Sequence, residues 1–297
     1  MNPLYDNFLN YIRCELNLSA HTVLSYTSDL RQWERYSTSV LGADYDPALC
    51  SANDLRMWVA HLSAGGVGAR SIRRKVQTLR AFFRYMMKRH GMADNPALDL
   101  VPARMPKSLP SVVRTDDMQN LLDMPFDRKN FIEVRNHLIV NMLYSTGMRA
   151  SELTGLLDAD VDVAAGELKV LGKRNKERMI PFGTELADMI TLYRSIRPAS
   201  SDPRLFVLED GRPLAYRHLN AIVKNELTGR VTTAKRTPHV LRHTFATDML
   251  NDGAEITAVQ QLLGHASLAT TQIYTHLSYR ELQNNYKLAH PRAQKKG

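Results

Sequence analysis

The sequence predicts a mainly α-helical protein of two domains, with a small β-hairpin or sheet inserted in the second. Three observations support this fold class. The chain has 297 residues, more than one typical domain. Apolar positions recur at helical spacing along most of the chain. The stretch 161–182 instead has the alternation and turn residues that are typical of short strands.

The N-terminal third of the chain is predicted to form four helices. Their limits, from apolar spacing and from start and stop signals, are about 3–17, 20–37, 51–64 and 69–90. Ser19 and Ser51 belong to the residue types preferred at helix N-caps. Gly65-Gly66 is expected to separate the third helix from the fourth.

Prolines mark the predicted boundary between the domains. Four of them occur within fifteen residues where apolar periodicity is weak: Pro96, Pro102, Pro106 and Pro110. Such a segment is typical of an extended linker. We therefore predict an N-terminal helical domain over 1–101, a proline-rich linker over 102–111 and a second domain over 112–297.

The second domain is predicted to be helical around a small sheet. Its helices are expected at about 115–123, 130–146, 184–196, 214–227, 239–251, 255–263, 267–276 and 278–289. Turns at Ala165-Gly166 and Arg174-Asn175 are expected to join the short strands. The last helix has an apolar face formed by Tyr279, Leu282, Tyr286 and Ala289. This face could pack on its own domain or on a neighbouring subunit.

Composition restricts the function classes. The net charge of +9 and the isoelectric point near 9.6 favour a polyanionic partner. Cys14 and Cys50 suggest neither a disulfide framework nor a zinc site, and no secretory leader opens the sequence. No apolar run reaches the roughly 18 residues that a membrane-spanning helix needs. We therefore expect a cytoplasmic protein without membrane insertion.

The fourth helix is a candidate nucleic-acid contact. Residues 70–90 contain eight Lys or Arg and no acidic residue, while apolar residues recur at helical spacing on the other face. A solvated face is the simpler interpretation of a charge run, but such faces usually mix both signs. The candidate DNA-binding residues are Arg70, Arg73, Arg74, Lys75 and Arg80.

The motif TPHVLRHTFATDML places His239 and Arg242 three residues apart on a predicted helix. Side chains at this spacing can converge on one ligand. His239 and His243 also form an H-x-x-x-H pair, but Val240 occupies the position where a zinc peptidase needs glutamate. A zinc site is therefore the weaker interpretation.

The motif STGMRASEL places Arg149 at a predicted helix start. A cation there opposes the helix dipole unless an anion lies nearby. That anion could be a bound phosphate or the carboxylate of Glu152. Downstream, the predicted hairpin GKRNKER carries Lys173, which without further context would be an ordinary exposed turn lysine.

Near the C-terminus, GHASLATTQIYTH places Tyr274 nine residues after His265. The tyrosine could be an aromatic anchor or a nucleophile. In order and spacing, six residues resemble the active site of the tyrosine site-specific recombinases: Arg149, Lys173, His239, Arg242, His265 and Tyr274. The ending YKLAHPRAQKKG resembles the Xer branch, which resolves chromosome dimers. Arg174 differs from many relatives, which have glycine there.

The resemblance implies a helical core-binding domain and a catalytic domain that close around DNA as a clamp. It also implies that Tyr274 attacks a phosphodiester to form a 3′-phosphotyrosine. Arg149 and Arg242 would stabilise the phosphate, His239 and His265 would assist, and Lys173 would protonate the leaving 5′ oxygen. Because the phosphodiester energy is retained, no ATP, metal or other cofactor is expected.

The implied partners are duplex DNA with paired half-sites and a homo- or hetero-tetramer with a related recombinase, which exchanges strands through a four-way junction. A division-associated DNA translocase is a further implied partner. Three alternatives remain open: a mobile-element integrase of the same family, a type IB topoisomerase, and a non-catalytic DNA-binding protein. Six chemically suitable residues favour catalysis, and the four-helix domain favours a recombinase over a topoisomerase.

Overall fold

The chain forms two compact units, Met1–Ser108 and Leu109–Gly297. The structure, a computed structural model, describes residues 1–100, 111–172, 177–264 and 279–293, with the side chains of 279 and 280 excepted. The predicted linker at 102–111 therefore lies outside the described residues apart from its last position. The predicted turn at Arg174-Asn175 and the predicted helix at 267–276 also lie outside them.

The first unit contains the four predicted helices. They are α1 (Pro3–Asn10), which continues as one π-helical turn (Tyr11–Glu15), α2 (Ala20–Val40), α3 (Ala52–Ala64) and α4 (Ala69–His90). The two predicted N-caps are confirmed, because Ser19 accepts from the Thr22 amide and Ser51 from the Asp54 amide. Trp33 and Trp58 meet edge to face at 5.4 Å in the buried core.

The second unit is helical around a three-stranded antiparallel sheet, as predicted. Its helices are α5 (Thr115–Asp123), α6 (Phe131–Thr146), α7 (Ala150–Gly155), α8 (Thr184–Ile196), α9 (Tyr216–Leu227), α10 (Pro238–Asn251), α11 (Ile256–Leu263) and α12 (Tyr279–Ala289). The strands, in the order β1-β2-β3, are Val161–Asp162, Glu167–Leu171 and Glu177–Pro181. In the ladder, Leu168 pairs with both Val161 and Ile180.

Helix α6 forms the centre of the second unit. Helices α8, α9 and α10 pack around it, so its C-terminal half is buried on every side. A helix surrounded in this way shows little separation into apolar and polar faces. It ends at Gly147, which has a left-handed φ of +59° and directs the chain into α7 and the arginine cluster described below.

In this single chain, α12 packs on its own unit, which is one of the two arrangements that the sequence leaves open. It contacts α10, α11 and β3, and Tyr286 and Ala289 are buried. The following His290 lies among the rings of Tyr144, Phe245 and Tyr286, and burial lowers its pKa to about 3. The imidazole is therefore neutral in the fold.

A salt bridge fastens the chain after α12. Arg292 donates to Glu185 in α8 and pairs with Asp123 of α5 at 2.9 Å. Gly183 lies directly beneath this segment, where a Cβ would come within 2.7 Å of the Ala293 carbonyl oxygen.

Within the part of the chain that the structure describes, no helix is long and apolar enough to span a bilayer.

Candidate active site

Three of the six predicted catalytic residues lie in the described part of the chain. Arg149 precedes α7, while His239 and Arg242 lie in the first turns of α10. Lys173, His265 and Tyr274 lie outside the described residues. The geometry of the site is therefore that of its arginines and of the elements that hold them.

Arg149 is bound to the carboxylate of Glu152. Its backbone amide donates to Glu152 Oε2 at 2.7 Å, and its Nη1 donates to Oε1 at 2.7 Å. Its Nη2 donates to the Gly264 carbonyl at 3.0 Å. The carboxylate that the sequence offers as a partner is thus used, and the side chain remains 30% exposed.

Arg242 is buried, with 7% of its surface exposed. Its Nη1 and Nη2 donate to the carbonyls of Gly147 and Leu263, each at 2.6 Å. Burial, and secondarily the positive charge of Arg149, lowers the pKa of Arg242 to about 10, so it stays protonated at neutral pH. Within the described ranges, no carboxylate forms an ion pair with it. The charge of Glu152 acts on Arg242 only from a distance, and a buried cation without an ion-pair partner is unfavourable.

A third arginine, Arg178 in β3, belongs to the same cluster and was missed by the sequence-based prediction. Its Nη1 and Nη2 each donate to one oxygen of Glu152 at 2.9 Å, and its Nε donates to the Leu262 carbonyl at 2.7 Å. One signal could have found it. Strand alternation places Arg178 on the same face as the buried Ile180, where an arginine needs an internal partner.

The three arginines converge on the C-terminal end of α11. Arg178, Arg242 and Arg149 donate respectively to three consecutive carbonyls, those of Leu262, Leu263 and Gly264. The last carbonyls of a helix lack intrahelical partners and carry the negative end of its dipole, so guanidinium groups stabilise them. The arrangement fixes the point at which the chain leaves α11 toward His265.

The charge of the cluster is unbalanced. Burial would raise the pKa of Glu152, but hydrogen bonds from Arg178 and Arg149 outweigh that effect and hold the pKa below its ordinary value. Glu152 is therefore ionised at neutral pH. Three guanidiniums against this one carboxylate leave a surplus of two positive charges (3 − 1). Such a site attracts a phosphate group.

His239 lies on the same helix as Arg242. It is the second residue of α10, exposed, and one turn before Arg242. His243 follows one turn later and is also exposed, and its pKa is lowered by partial burial and by the proximity of His239 and Arg242. An exposed imidazole next to a buried guanidinium can donate to a phosphate oxygen or, when neutral, take up a proton.

The predicted DNA-binding residues on α4 fall into two groups. Arg70 and Arg73 are exposed. Lys75 is not a surface residue, because its Nζ is buried against Asp29 Oδ1 at 2.9 Å and also donates to Gln32. The prediction of Lys75 as a DNA contact is therefore not retained.

The other two predicted contacts have partners inside the unit. Arg74 pairs with Asp29 and remains 43% exposed. Arg80 donates to backbone carbonyls at 97, 98 and 100. The exposed basic face of α4 instead extends to Arg84 and Lys88, which lie close to whole helical turns from Arg70 and were missed in the sequence. Asp29 of α2 accounts for Lys75 and Arg74, and the carbonyls that follow α4 account for Arg80.

The protein is thus helical, has two units, and carries a cluster of three arginines where α7, β3, α10 and α11 meet. Comparison with known proteins assigns both units to one family. Residues 111–281 match the model of the phage integrase family, and residues 5–90 match that of the phage integrase N-terminal SAM-like domain. The chain therefore belongs to the phage integrase family of tyrosine recombinases, enzymes that cleave and rejoin DNA strands.

Two relatives are similar over nearly the whole chain. Tyrosine recombinase XerC of Alcanivorax borkumensis is 36% identical over 295 residues, covering 98% of this chain and 94% of that protein. Tyrosine recombinase XerC of Psychromonas ingrahamii is 35% identical over 302 residues, covering 100% and 99%. The likeness to the Xer branch in the sequence is thus confirmed, and these relatives do not favour the mobile-element alternative.

Solved structures agree with the fold. The XerH site-specific recombinase bound to its difH substrate has a TM-score of 0.66 at 22% identity, covering 94% of this chain and 83% of that one. The Tn1549 transposon integrase in complex with transposon right end DNA has a TM-score of 0.71 at 20% identity, covering 96% and 98%. At these identities the likeness concerns the fold.

Proposed function

We propose that this protein recombines DNA at specific sites through a 3′-phosphotyrosine at Tyr274, with the scissile phosphate held by Arg242 and Arg149. The observation that supports this most strongly is the buried guanidinium of Arg242, which has two carbonyl partners and no carboxylate among the described residues. A phosphate between Arg242 and Arg149 would supply the missing anion. The two guanidiniums would then stabilise the charge that develops in the transition state.

The other roles follow from chemistry and connectivity. His239, exposed one turn before Arg242, and His265, which follows the clamped end of α11, are proposed to bind phosphate oxygens or to move the tyrosine proton. Lys173, in the segment between β2 and β3, is proposed to protonate the departing 5′ oxygen. A tyrosine has a pKa near 10, so proton removal must accompany attack.

Tyr274→Phe tests the nucleophile. The target duplex is first selected from a random-sequence library with the purified protein, and then nicked so that the cleaved fragment diffuses away. Wild-type protein should accumulate a covalent DNA adduct on a denaturing gel. Tyr274→Phe should bind the same duplex within about threefold yet form no adduct, because the ring is kept and only its oxygen is lost. An adduct formed by Tyr274→Phe would assign the nucleophile elsewhere.

The first unit is proposed to bind duplex DNA through the exposed face of α4, with 1–101 as the core-binding domain, 102–111 as the linker and 112–297 as the catalytic domain. Double-stranded DNA is the partner because Arg70, Arg73, Arg84 and Lys88 present positive charge along one helix face. We propose that the core-binding domain binds one face of the duplex and the catalytic domain the other, so that together they would enclose the DNA.

Replacing Arg73 and Arg84 with alanine should lower the dependence of log K on log salt by about two, close to one for each lost phosphate contact. Band-shift titrations at several salt concentrations would measure the slope. The matched control is Arg212→Ala with Arg230→Ala, which removes the same charge from side chains paired with Asp210 and Glu226. An unchanged slope in the α4 variant would remove that helix from the interface.

The biological role proposed here is chromosome-dimer resolution in the cytoplasm, since the full-length relatives are Xer recombinases. Recombination at paired half-sites requires four subunits, identical or paired with a related recombinase, and a division-associated translocase would bring the sites together. We propose that α12 contacts a neighbouring subunit in that assembly. It would then exchange its contacts with α10, α11 and β3 for equivalent ones on the neighbour.

A further inference from the structure

We propose that Arg178 is a positioning residue for strand cleavage: it holds Glu152 against Arg149 and, at the same time, holds the end of α11 against the sheet. This inference rests on the proposed function, because it concerns the phosphate site that Arg149 and Arg242 form. Arg178 itself is not proposed to contact the phosphate. Its side chain is 12% exposed, compared with 30% for Arg149.

Glu152 is fixed by two arginines from different elements. Its Oε1 accepts from Nη1 of both Arg149 and Arg178, and its Oε2 accepts from the Arg149 amide and from Arg178 Nη2. The planar fork of Arg178 therefore sets the plane of the carboxylate. Without it, Glu152 would be bound only by a residue three positions away in the same turn. Its orientation, and that of the Arg149 guanidinium, would no longer be determined by the sheet.

The second contact of Arg178 is at the end of α11. Its Nε binds the Leu262 carbonyl, and its side chain lies so close to Gly264 that a Cβ there would be 3.0 Å from Nη1. Gly264 also has a left-handed φ of +63° and accepts from Arg149. One side chain thus connects β3, α7 and α11 at the position where the Arg149 guanidinium is held.

The chain order makes this connection relevant to catalysis. Strand β3 begins at Glu177, directly after the segment that contains Lys173, and α11 ends at Leu263, directly before Gly264 and His265. Arg178 therefore belongs to the strand that follows Lys173 in the chain and contacts the end of the helix that precedes His265. A displacement of these segments by about 1 Å is enough to slow an enzyme reaction on the order of a hundredfold.

A purely structural brace would predict a different result. If Arg178 only stabilised the fold, its loss would lower the midpoint of unfolding but leave the cleavage rate of the folded fraction unchanged. If it positions Arg149 through Glu152, folded Arg178→Ala should bind DNA within about threefold of wild type and form the adduct roughly 10- to 100-fold more slowly.

The experiment is single-turnover adduct formation on the selected nicked duplex, at a temperature where circular dichroism shows every variant folded. Arg194→Ala is the matched control. Arg194 also binds a carboxylate, Asp158 at 2.9 Å, and two backbone carbonyls in the same unit, at 2.8 and 3.0 Å, but lies outside the site. Its rate should stay within about twofold of wild type, because its partners, Asp158 and the Val161 carbonyl, do not belong to the arginine cluster.

A double-mutant cycle identifies the route of the effect. If Arg178 acts through Glu152, Arg178→Ala combined with Glu152→Gln should be no more than about threefold slower than the slower single variant. Losses that multiply would overturn the part of the proposal in which Arg178 acts through Glu152, and an equal loss in Arg194→Ala would overturn the whole proposal. Arg178→Lys, which keeps the charge but not the fork, should remain slow, and full recovery would also overturn the proposal.

If Arg178→Ala does not fold, the rate of adduct formation by Arg178→Lys is compared with that of Arg194→Ala instead. If wild-type protein forms no adduct at all, the proposed function itself fails. If wild-type protein forms the adduct and the Arg178 variants form it equally fast, only the positioning role of Arg178 fails.

Discussion

Arg242→Ala is expected to slow covalent adduct formation by about 100- to 1000-fold or more, while binding of the selected duplex weakens far less. Removing one preorganised donor to a developing oxyanion typically raises the barrier by about 3 to 4 kcal/mol. Arg242 should be at least that important, because it is buried and, among the described residues, has no carboxylate to share its charge. The measurement is single-turnover adduct formation at saturating protein.

Two controls separate chemistry from folding in this experiment. Arg242 also donates to the Gly147 and Leu263 carbonyls, so unfolding by urea must show that the variant is folded under the assay conditions. Arg242→Lys keeps a positive charge but cannot bind bidentately, so it should recover only part of the rate. A rate for Arg242→Ala within tenfold of wild type would place the phosphate away from this guanidinium.

Gly147→Ala is expected to be the most destabilising of the conservative substitutions near the site. Gly147 has a φ of +59°, and an added Cβ would lie 2.3 Å from Cδ1 of the buried Phe245. The left-handed conformation costs an alanine about 1 kcal/mol, and forcing an atom into a packed core costs a further 1 to 3. We therefore expect the free energy of unfolding to fall by about 2 to 4 kcal/mol, measured by urea denaturation.

Gly229→Ala is the control for Gly147→Ala. Gly229 has a similar φ of +74° in the same unit, but a Cβ there would meet nothing within 4 Å. Its variant should therefore lose only the conformational contribution, about 1 kcal/mol. Equal losses at the two positions would show that Phe245 moves aside without penalty. Because Gly147 O accepts from Arg242, Gly147→Ala should also slow cleavage in the folded fraction.

Local patterns in the sequence were sufficient for the elements. The limits of α4 and α5 coincide with those predicted, and the caps at Ser19 and Ser51 are formed as expected. These features depend on residues within one or two turns of each other, so spacing and capping rules predict them. The family was likewise predictable, because six chemically suitable residues occur in one order along the chain.

The sequence by itself therefore determined the fold class, the succession of helices and strands within the described residues, and the resemblance to tyrosine recombinases. Only the tertiary structure decided which charged side chains are exposed and which are bound inside the fold. Lys75 is buried because Asp29, 46 residues earlier, accepts from it, and Arg178 joins the site through Leu262, 84 residues later. A periodic signal can show that a charged residue faces inward, as at Arg178, but not which distant group it binds, because such contacts form only when packing brings the segments together and excludes water from between them.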